Sequence, residues 1–238
     1  FEIGLYLYSL GLPLLQGYGQ TETGPVISAN IPEKIKLDTV GPPLQNTAVK
    51  ISDDGEILVK GENMMNGYWN DPDSTNNAII DGWVHTGDIG ELDKDNYIKI
   101  TDRKKDIIVS AGGDNISPSR VEAKLEIEPE IFQSMLYGDY KNYLVAVIVP
   151  DKDFASNWAK ENNKNINITD LIKDESFNKI IKEALNRVNK SLSVIEQVRK
   201  FILIDYEFTI ENEMMTPSMK VRRFKVKEKY KEKLENLY

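Results

Sequence analysis

Three short polar motifs of this chain bring together residue types that can do chemistry. Residues 17–25 (GYGQTETGP) place an aromatic ring between glycines and follow it with a carboxylate, residues 83–88 (WVHTGD) end in a second carboxylate, and residues 102–106 (DRKKD) supply a guanidinium. A carboxylate suits a hard ion such as Mg²⁺ and, when ionised, accepts two hydrogen bonds at once. A guanidinium offers a planar fork of donors to phosphate or ribose oxygens. These types suit the two halves of one nucleotide site.

Each motif also has a purely structural explanation when taken alone. Thr21 and Glu22 are compatible with capping a loop after a tight strand turn, and Asp88 is compatible with ordinary turn chemistry. The charged run 102–106 is compatible with a solvated linker. His85, the single histidine, is typical of a packing residue, so we assign it no role. The order of the motifs along the chain is what favours the functional interpretation.

In that order, the motifs resemble those of the adenylate-forming (AMP-binding) superfamily, which includes acyl-CoA synthetases, luciferases and the adenylation domains of peptide synthetases. The resemblance covers nearly the whole chain. It implies that Tyr18 stacks on adenine, and that main chain comes close to the base at two residues without a Cβ, Gly17 and Gly19. It also implies that Thr21 hydrogen-bonds the α-phosphate and that Glu22 ligates a Mg²⁺ ion bridging the phosphates.

The resemblance assigns roles to two further residues of this site. Asp88 is the residue with which family members grip both ribose hydroxyls. Arg103 contacts the nucleotide, and the position two residues later, Lys105, is the hinge about which a C-terminal domain rotates.

Two loops near the C-terminus resemble family loops that serve different half-reactions. Residues 110–118 (SAGGDNISP) resemble the loop that lines the pantetheine tunnel of coenzyme A, and Gly112 and Gly113 permit close approach. The alternative is a plain glycine loop before a helix. Residues 216–220 (TPSMK) resemble the loop that carries the lysine essential for adenylation, which makes Lys220 the candidate. The alternative is that Lys220 is one of many surface lysines.

The resemblance implies an ATP-dependent ligase that joins a fatty acid to coenzyme A. Its cofactors would be ATP and Mg²⁺, and coenzyme A would be a co-substrate. The Thr-Pro form of residues 216–220 favours the long-chain fatty acyl-CoA synthetases. The chain opens on Phe1 without methionine, whereas the family's phosphate loop and most of its acyl pocket lie upstream. We therefore expect an inactive fragment whose partner is the missing N-terminal portion of the same chain.

Two alternatives remain open at this point. One is an adenylating ligase for a different acid, or one that passes its acyl group to a carrier protein. The other is a non-catalytic interaction module that keeps the fold. The retention of Glu22, Asp88, Arg103 and Lys220 together argues against the module.

Composition excludes several other classes. No apolar run is long enough to span a membrane, the longest being strand-length at residues 144–149, although peripheral membrane contact of the intact enzyme stays open. The formal charge of −8 argues against a nucleic-acid binder. Basic residues crowd the last twenty positions, but interleaved glutamates favour a solvated helix there. The absence of cysteine indicates a reducing cytoplasm.

The pattern of apolar residues predicts two domains. Residues 1–102 should comprise the α/β tail of a large AMP-binding domain, with a buried strand at residues 12–15, followed by an antiparallel β meander or small barrel. Residues 103–238 should form a separate, mobile α+β C-terminal domain. Its predicted elements are a helix from residue 117 to 128, strands at 134–137, 144–149 and 201–204, and helices around 154–161 and 170–190.

Overall fold

A computed structural model describes residues 2–238, and Phe1, where the first predicted domain begins, lies outside the described residues. The chain divides into two compact units, Phe1–Lys105 and Asp106–Tyr238. Both contain helices and strands, which confirms a mixed α/β chain. The division follows Lys105, whereas the sequence-based boundary follows residue 102. No helix within residues 2–238 combines the length and the apolar character needed to cross a membrane.

The first unit is built around an antiparallel sheet. The elements of this unit are α1 (Glu2–Ser9), β1 (Gly17–Tyr18), β2 (Ser28–Ala29), β3 (Thr47–Ile51), β4 (Glu56–Gly61), α2 (Pro72–Ala78), β5 (Ile79–Ile80), β6 (Trp83–Leu92) and β7 (Ile98–Arg103). The strands of the sheet run in the order β3-β4-β6-β5, with β7 paired to β6, and a separate short hairpin joins β1 to β2. A small core of Ile27, Ile57, Val59 and Ile98, each 0% exposed, holds the hairpin and the sheet together.

The buried strand predicted at residues 12–15 is wrong. The segment is irregular, and Leu12 and Leu15 are exposed. The Leu12 N–H donates to the Leu7 carbonyl, 3.2 Å away, as α1 ends, and Pro13 has no N–H to donate to a neighbouring strand. Regular pairing therefore starts only at Gly17.

The second unit is a three-stranded sheet between two helical layers. Its elements are β8 (Ile108–Val109), β9 (Asn115–Ile116), α3 (Pro118–Leu125), β10 (Ile131–Tyr137), β11 (Leu144–Pro150), α4 (Lys152–Glu161), α5 (Ile168–Leu171), α6 (Glu175–Asn189), β12 (Val198–Leu203) and α7 (Arg223–Glu235). The strand order is β10-β11-β12, antiparallel then parallel. All residues of β11 are buried, because side chains on its two faces pack against α3, α4 and α6 and against α7, respectively.

The helix predicted around residues 170–190 is two helices. A short helix, α5, ends at Leu171, and α6 begins after Asp174. The Asp174 carboxylate accepts hydrogen bonds from the N–H groups of Ser176 and Phe177 and so caps the new helix. The apolar periodicity runs across the break, which explains why it concealed the cap.

The basic terminal segment is part of the second unit's core. Val226, Tyr230 and Leu234, spaced four residues apart, form a buried stripe on α7. Lys227 lies 2.9 Å from an oxygen of Asp139. The segment is therefore a packed helix, with the ion pair of Lys227 beside its buried stripe.

Strand β10 lies at the edge of its sheet, and two glutamates, Glu122 of α3 and Glu126 directly after it, contact that edge. Oε1 of Glu122 accepts the N–H of Leu136 at 2.7 Å, and Oε1 of Glu126 accepts the N–H of Ser134 at 2.8 Å. Arg223, which opens α7, pairs with both oxygens of Glu122. Burial, reinforced by the charge of Glu122, raises the pKa of Glu126. The two carboxylates thus occupy two N–H groups of the free edge, and Arg223 holds one of these carboxylates.

Candidate active site

A β-bulge in β6 aims the Asp88 side chain. Leu58 of β4 pairs with His85, and Glu56 of β4 pairs with Ile89. Between these two pairs β6 contains more residues than β4, which defines a bulge. Gly87 sits in the bulge with φ of 69°, a conformation that glycine adopts without strain. A glycine inside an alternating strand pattern is the sequence signal for such a bulge.

Three of the predicted nucleotide residues meet in the first unit. The Tyr18 hydroxyl donates a hydrogen bond to Oδ2 of Asp88 at 2.6 Å, and Nε of Arg103 lies 3.3 Å from Oδ1. The Asp88 side chain is only 9% exposed. Burial and the bond to Asp88 raise the pKa of Tyr18, so its hydroxyl keeps its proton. The carboxylate has about four lone-pair sites, so it retains acceptor capacity beyond these two contacts.

Of the two glycines around Tyr18, Gly19 is required by the loop's own backbone. A Cβ on Gly19 would lie 1.8 Å from the carbonyl oxygen of Pro25, which is an impossible contact. A Cβ on Gly17 would lie 3.2 Å from the carbonyl oxygen of Ser28. The glycine at position 19 is therefore needed for the turn itself, whether or not a ligand approaches.

Glu22 lies apart from this cluster, against a tyrosine that the sequence analysis missed. Thr21 and Glu22 begin a short 3-10 turn, and the Tyr68 hydroxyl donates to Oε1 of Glu22 at 2.8 Å. This bond raises the pKa of Tyr68. Thr21 is exposed. Within the described residues no three acidic or histidine side chains cluster as a metal site, so Glu22 is not part of a ready-made metal cluster.

Glu56 is the second functional candidate that sequence reasoning missed. Its side chain, 5% exposed, accepts the Gly87 N–H at 2.9 Å and contacts Nδ1 of His85 and Nζ of Lys104, both at 3.0 Å. Burial alone would raise the pKa of Glu56, but the hydrogen bonds from these three groups lower it. Position 56 follows an ordinary turn, so only the fold reveals its contacts.

An open pocket of about 370 Å³ lies beside the Asp88 cluster. Its lining comprises Thr86, Gly87, Arg103, Lys104 and Lys105. The volume is within the range of small-molecule sites, and the three cationic residues suit an anion. Tyr18, Glu22 and Asp88 do not line this pocket. The predicted hinge residue, Lys105, is exposed and is the last residue of its unit.

The predicted pantetheine loop is a hairpin turn between β8 and β9 in the second unit. The Ser110 N–H donates to the Asp114 carbonyl, and Gly113 has φ of 88° with nothing near its missing Cβ. Gly112 lines a pocket of about 200 Å³ together with Tyr143 and Ile195, among others. The loop is thus open to solvent on its glycine side and borders a cavity.

Lys220 ends an exposed loop of the second unit. The Thr216 N–H donates to the Lys220 carbonyl at 2.8 Å, and the Lys220 N–H donates to the Thr216 hydroxyl at 3.1 Å. Met215 and Val221 bridge the base of the loop. Lys220 is exposed and, among the described residues of the second unit, forms no ion pair, so its ammonium is available to an anion.

Comparison with known families assigns the chain. The sequence model of the family described as AMP-binding enzyme matches residues 6–69, and that of the AMP-binding enzyme C-terminal domain matches residues 105–238, more than half of the chain. The chain belongs to the AMP-binding enzymes. The resemblance found in the sequence motifs is thereby confirmed.

Similar proteins agree with this family. The AMP-binding chain is 36% identical, over its full length, to the long-chain-fatty-acid–CoA ligase FadD15 of Mycobacterium bovis, and it covers 40% of that protein. Its fold resembles the adenylation domain of a carboxylate reductase from Mycobacterium chelonae (TM-score 0.80, 26% identity, covering 100% of this chain and 36% of the other). It also resembles O-succinylbenzoate coenzyme A synthetase from Bacillus subtilis in complex with ATP and magnesium (TM-score 0.71, 27% identity, covering 95% of this chain and 44% of the other). The chain spans well under half the length of these relatives.

Proposed function

We propose that the intact protein is an AMP-forming acid–thiol ligase that converts a long-chain fatty acid to its coenzyme A thioester through an acyl-adenylate. The observation that carries the proposal is the meeting of Tyr18, Asp88 and Arg103 in one cluster. The name of the 36% identical relative, a long-chain-fatty-acid–CoA ligase, supports the substrate class. The cysteine-free composition supports a cytoplasmic location.

The nucleotide would be held by the first unit. The Asp88 carboxylate has the spare acceptor capacity to take both ribose hydroxyls, while the Tyr18 ring presents a face for adenine. Arg103 would contact ribose or phosphate oxygens with its exposed donors. Thr21, at the exposed start of its turn, would donate its hydroxyl to the α-phosphate. Gly17 and Gly19, which have no side chain, would let the main chain of this loop come close to the adenine base.

Glu22 fits the role of a Mg²⁺ ligand. Mg²⁺ is usually bound by one or two carboxylates together with substrate phosphates, so a lone carboxylate is sufficient on the protein side. The ion would neutralise phosphate charge when bound. The Tyr68 hydroxyl orients the carboxylate by hydrogen-bonding one of its oxygens and leaves Oε2 for the metal.

Two half-reactions follow from this assignment. First, a fatty-acid carboxylate oxygen attacks the α-phosphorus and the bond to pyrophosphate breaks, with the Lys220 ammonium stabilising the negative charge of both reactants. Second, the coenzyme A sulfur attacks the acyl carbonyl and AMP leaves. Rotation about Lys105 would exchange Lys220 for the loop that carries Gly112 and Gly113, so that one unit serves both steps.

A second candidate is a ligase for a different carboxylic acid. The structural likeness to O-succinylbenzoate coenzyme A synthetase favours it, because the name of that protein specifies an acid that is not a fatty acid. A panel of acids of different chain length, tested with the intact protein, separates the two candidates.

The assignment of the nucleotide site is tested by measuring the binding of AMP to the 238-residue chain with ligand-detected NMR. We expect binding to the wild-type chain and its loss in Asp88→Asn, whose amide replaces an acceptor by a donor. Asp153→Asn, at an exposed position, is the matched control. Equal binding by both variants would refute the role of Asp88. We also expect no fatty-acid-dependent pyrophosphate release from this chain alone.

A further inference from the structure

We propose that Glu56 is a positioning residue for nucleotide binding: it fixes the bulge that aims Asp88 and the strand end that carries Arg103. This inference rests on the proposed nucleotide site. It assigns a task to a carboxylate that no sequence motif marks and that does not itself line the pocket beside Asp88.

Glu56 supplies a hydrogen-bond partner to the backbone of the bulge in β6. In a bulge the ladder between strands is interrupted, so backbone groups there need other partners. Oε1 of Glu56 accepts the Gly87 N–H at 2.9 Å, and the Gly87 carbonyl accepts the N–H of Lys104 at 2.8 Å. Both backbone groups of the residue immediately before Asp88 are thus held. The direction of the Asp88 side chain is therefore set by Gly87 and its partners.

Glu56 also contacts Lys104, the residue that follows Arg103. Asp88 and Arg103 are register partners between β6 and β7, and Lys104 follows Arg103 directly. Nζ of Lys104 lies 3.0 Å from Oε2 of Glu56, the same carboxylate that holds Gly87. Glu56 therefore contacts the residue before Asp88 and the residue after Arg103, and so brackets the pair.

The charges around Glu56 show why a carboxylate is needed. Two of its neighbours are donors, the Gly87 N–H and the Lys104 ammonium, which also lies 2.6 Å from Asp54, and the third is Nδ1 of His85, which donates when it carries the ring proton. An ionised carboxylate accepts from all of them, whereas a glutamine amide would turn an NH₂ group toward a donor. Glu56→Gln thus preserves size and removes the function.

The test uses the 238-residue chain with Glu56→Gln, and Glu91→Gln as matched control, since Glu91 is an exposed carboxylate on β6 of the same sheet. Dissociation constants are measured for AMP and for 2′,3′-dideoxy-AMP. We expect Glu56→Gln to weaken AMP binding about tenfold to a hundredfold, by analogy with the range known for residues that orient metal ligands. The preference for AMP over the dideoxy analogue should fall with it, because Asp88 no longer meets the ribose hydroxyls.

A purely structural role would weaken both ligands equally and leave that preference unchanged, which overturns the inference. The amide resonance and hydrogen-exchange rate of Gly87 provide a measurement that needs no ligand: both should change in Glu56→Gln and not in Glu91→Gln. If the wild-type chain binds no AMP, the proposed function fails, while an unchanged Gly87 amide still refutes the positioning role. If Glu56→Gln does not fold, Lys104→Met removes one contact of Glu56 and should show the same loss of ribose preference.

Discussion

The Tyr18 hydroxyl lies 2.6 Å from Oδ2 of Asp88, although 70 residues separate the two along the chain. The bond ties the β1–β2 hairpin to the bulge of β6. Tyr18 from residues 17–25 and Asp88 from residues 83–88 therefore lie in one cluster, together with the adjacent Arg103. An arrangement of the two on separate faces would have removed the basis for a nucleotide site.

Replacement of Tyr18 by phenylalanine tests this bond. The ring remains, while a half-buried hydrogen bond to a carboxylate is lost, so we expect a loss of about 1 kcal/mol in the free energy of unfolding. Urea denaturation measures it, with the exposed Tyr8→Phe as control. AMP should still bind, because stacking needs only the ring. Unchanged stability in Tyr18→Phe would show that the bond contributes nothing.

The low pKa of Glu56 predicts a pH dependence of stability. Its folded pKa lies below the ordinary value of 4.5, so the ionised group stabilises the fold above that value, and the contribution is lost as the pH falls through the folded pKa. Glu56→Gln should therefore flatten the acid limb of the stability curve, measured by urea denaturation between about pH 3 and 7. Glu91→Gln should retain the wild-type slope; an identical slope in both variants contradicts the prediction.

Arg223→Met should destabilise the second unit strongly. The Arg223 side chain neutralises Glu122, which is about one tenth exposed, and removal of one partner leaves an uncompensated buried charge. Such losses are typically about 3–5 kcal/mol. Thermal unfolding measures the effect, and Arg199→Met, at an exposed position on β12, is the control. A change no larger than that of the control would mean that Glu122 finds another partner.

Lys220→Ala separates stability from chemistry. The ammonium is exposed and carries no ion pair within residues 2–238, so the 238-residue chain should keep its melting temperature. In the intact protein, adenylate formation should fall by about a hundredfold or more, the effect of losing a preorganised charge stabiliser. Pyrophosphate exchange measures this step, while conversion of supplied acyl-adenylate to thioester should persist. Lys231→Ala, on the exposed face of α7, serves as control; equal loss in both would remove Lys220 from the mechanism.

Local patterns predicted the elements whose periodicity is undisturbed. The strand at residues 144–149 and the helix beginning at Pro118 are present because a buried apolar run and a proline at the first helical position have few alternatives. The run at residues 12–15 failed for the opposite reason: apolar character does not reveal that Leu12 already bonds to α1. Pairing partners are a property of the fold.

The same division applies to the candidate site. Tyr18, Asp88 and Arg103 could be chosen from sequence because their motifs are specific in type and order. Glu56 and Tyr68 could not, since each matters only through a contact formed across the fold, 31 residues to Gly87 and 46 to Glu22. The tight approach of Gly19 to Pro25 was likewise invisible, because a turn and a ligand both demand glycine.

Glu122 and Glu126 also bear on how the chain behaves at high concentration. A sheet edge with unpaired N–H groups templates the addition of a strand from another molecule. Glu122 and Glu126 occupy the donors of Leu136 and Ser134, so an incoming strand finds no partners there. These two positions of the edge are thereby shielded from strand addition, and Arg223, which pairs with both oxygens of Glu122, holds that carboxylate in place.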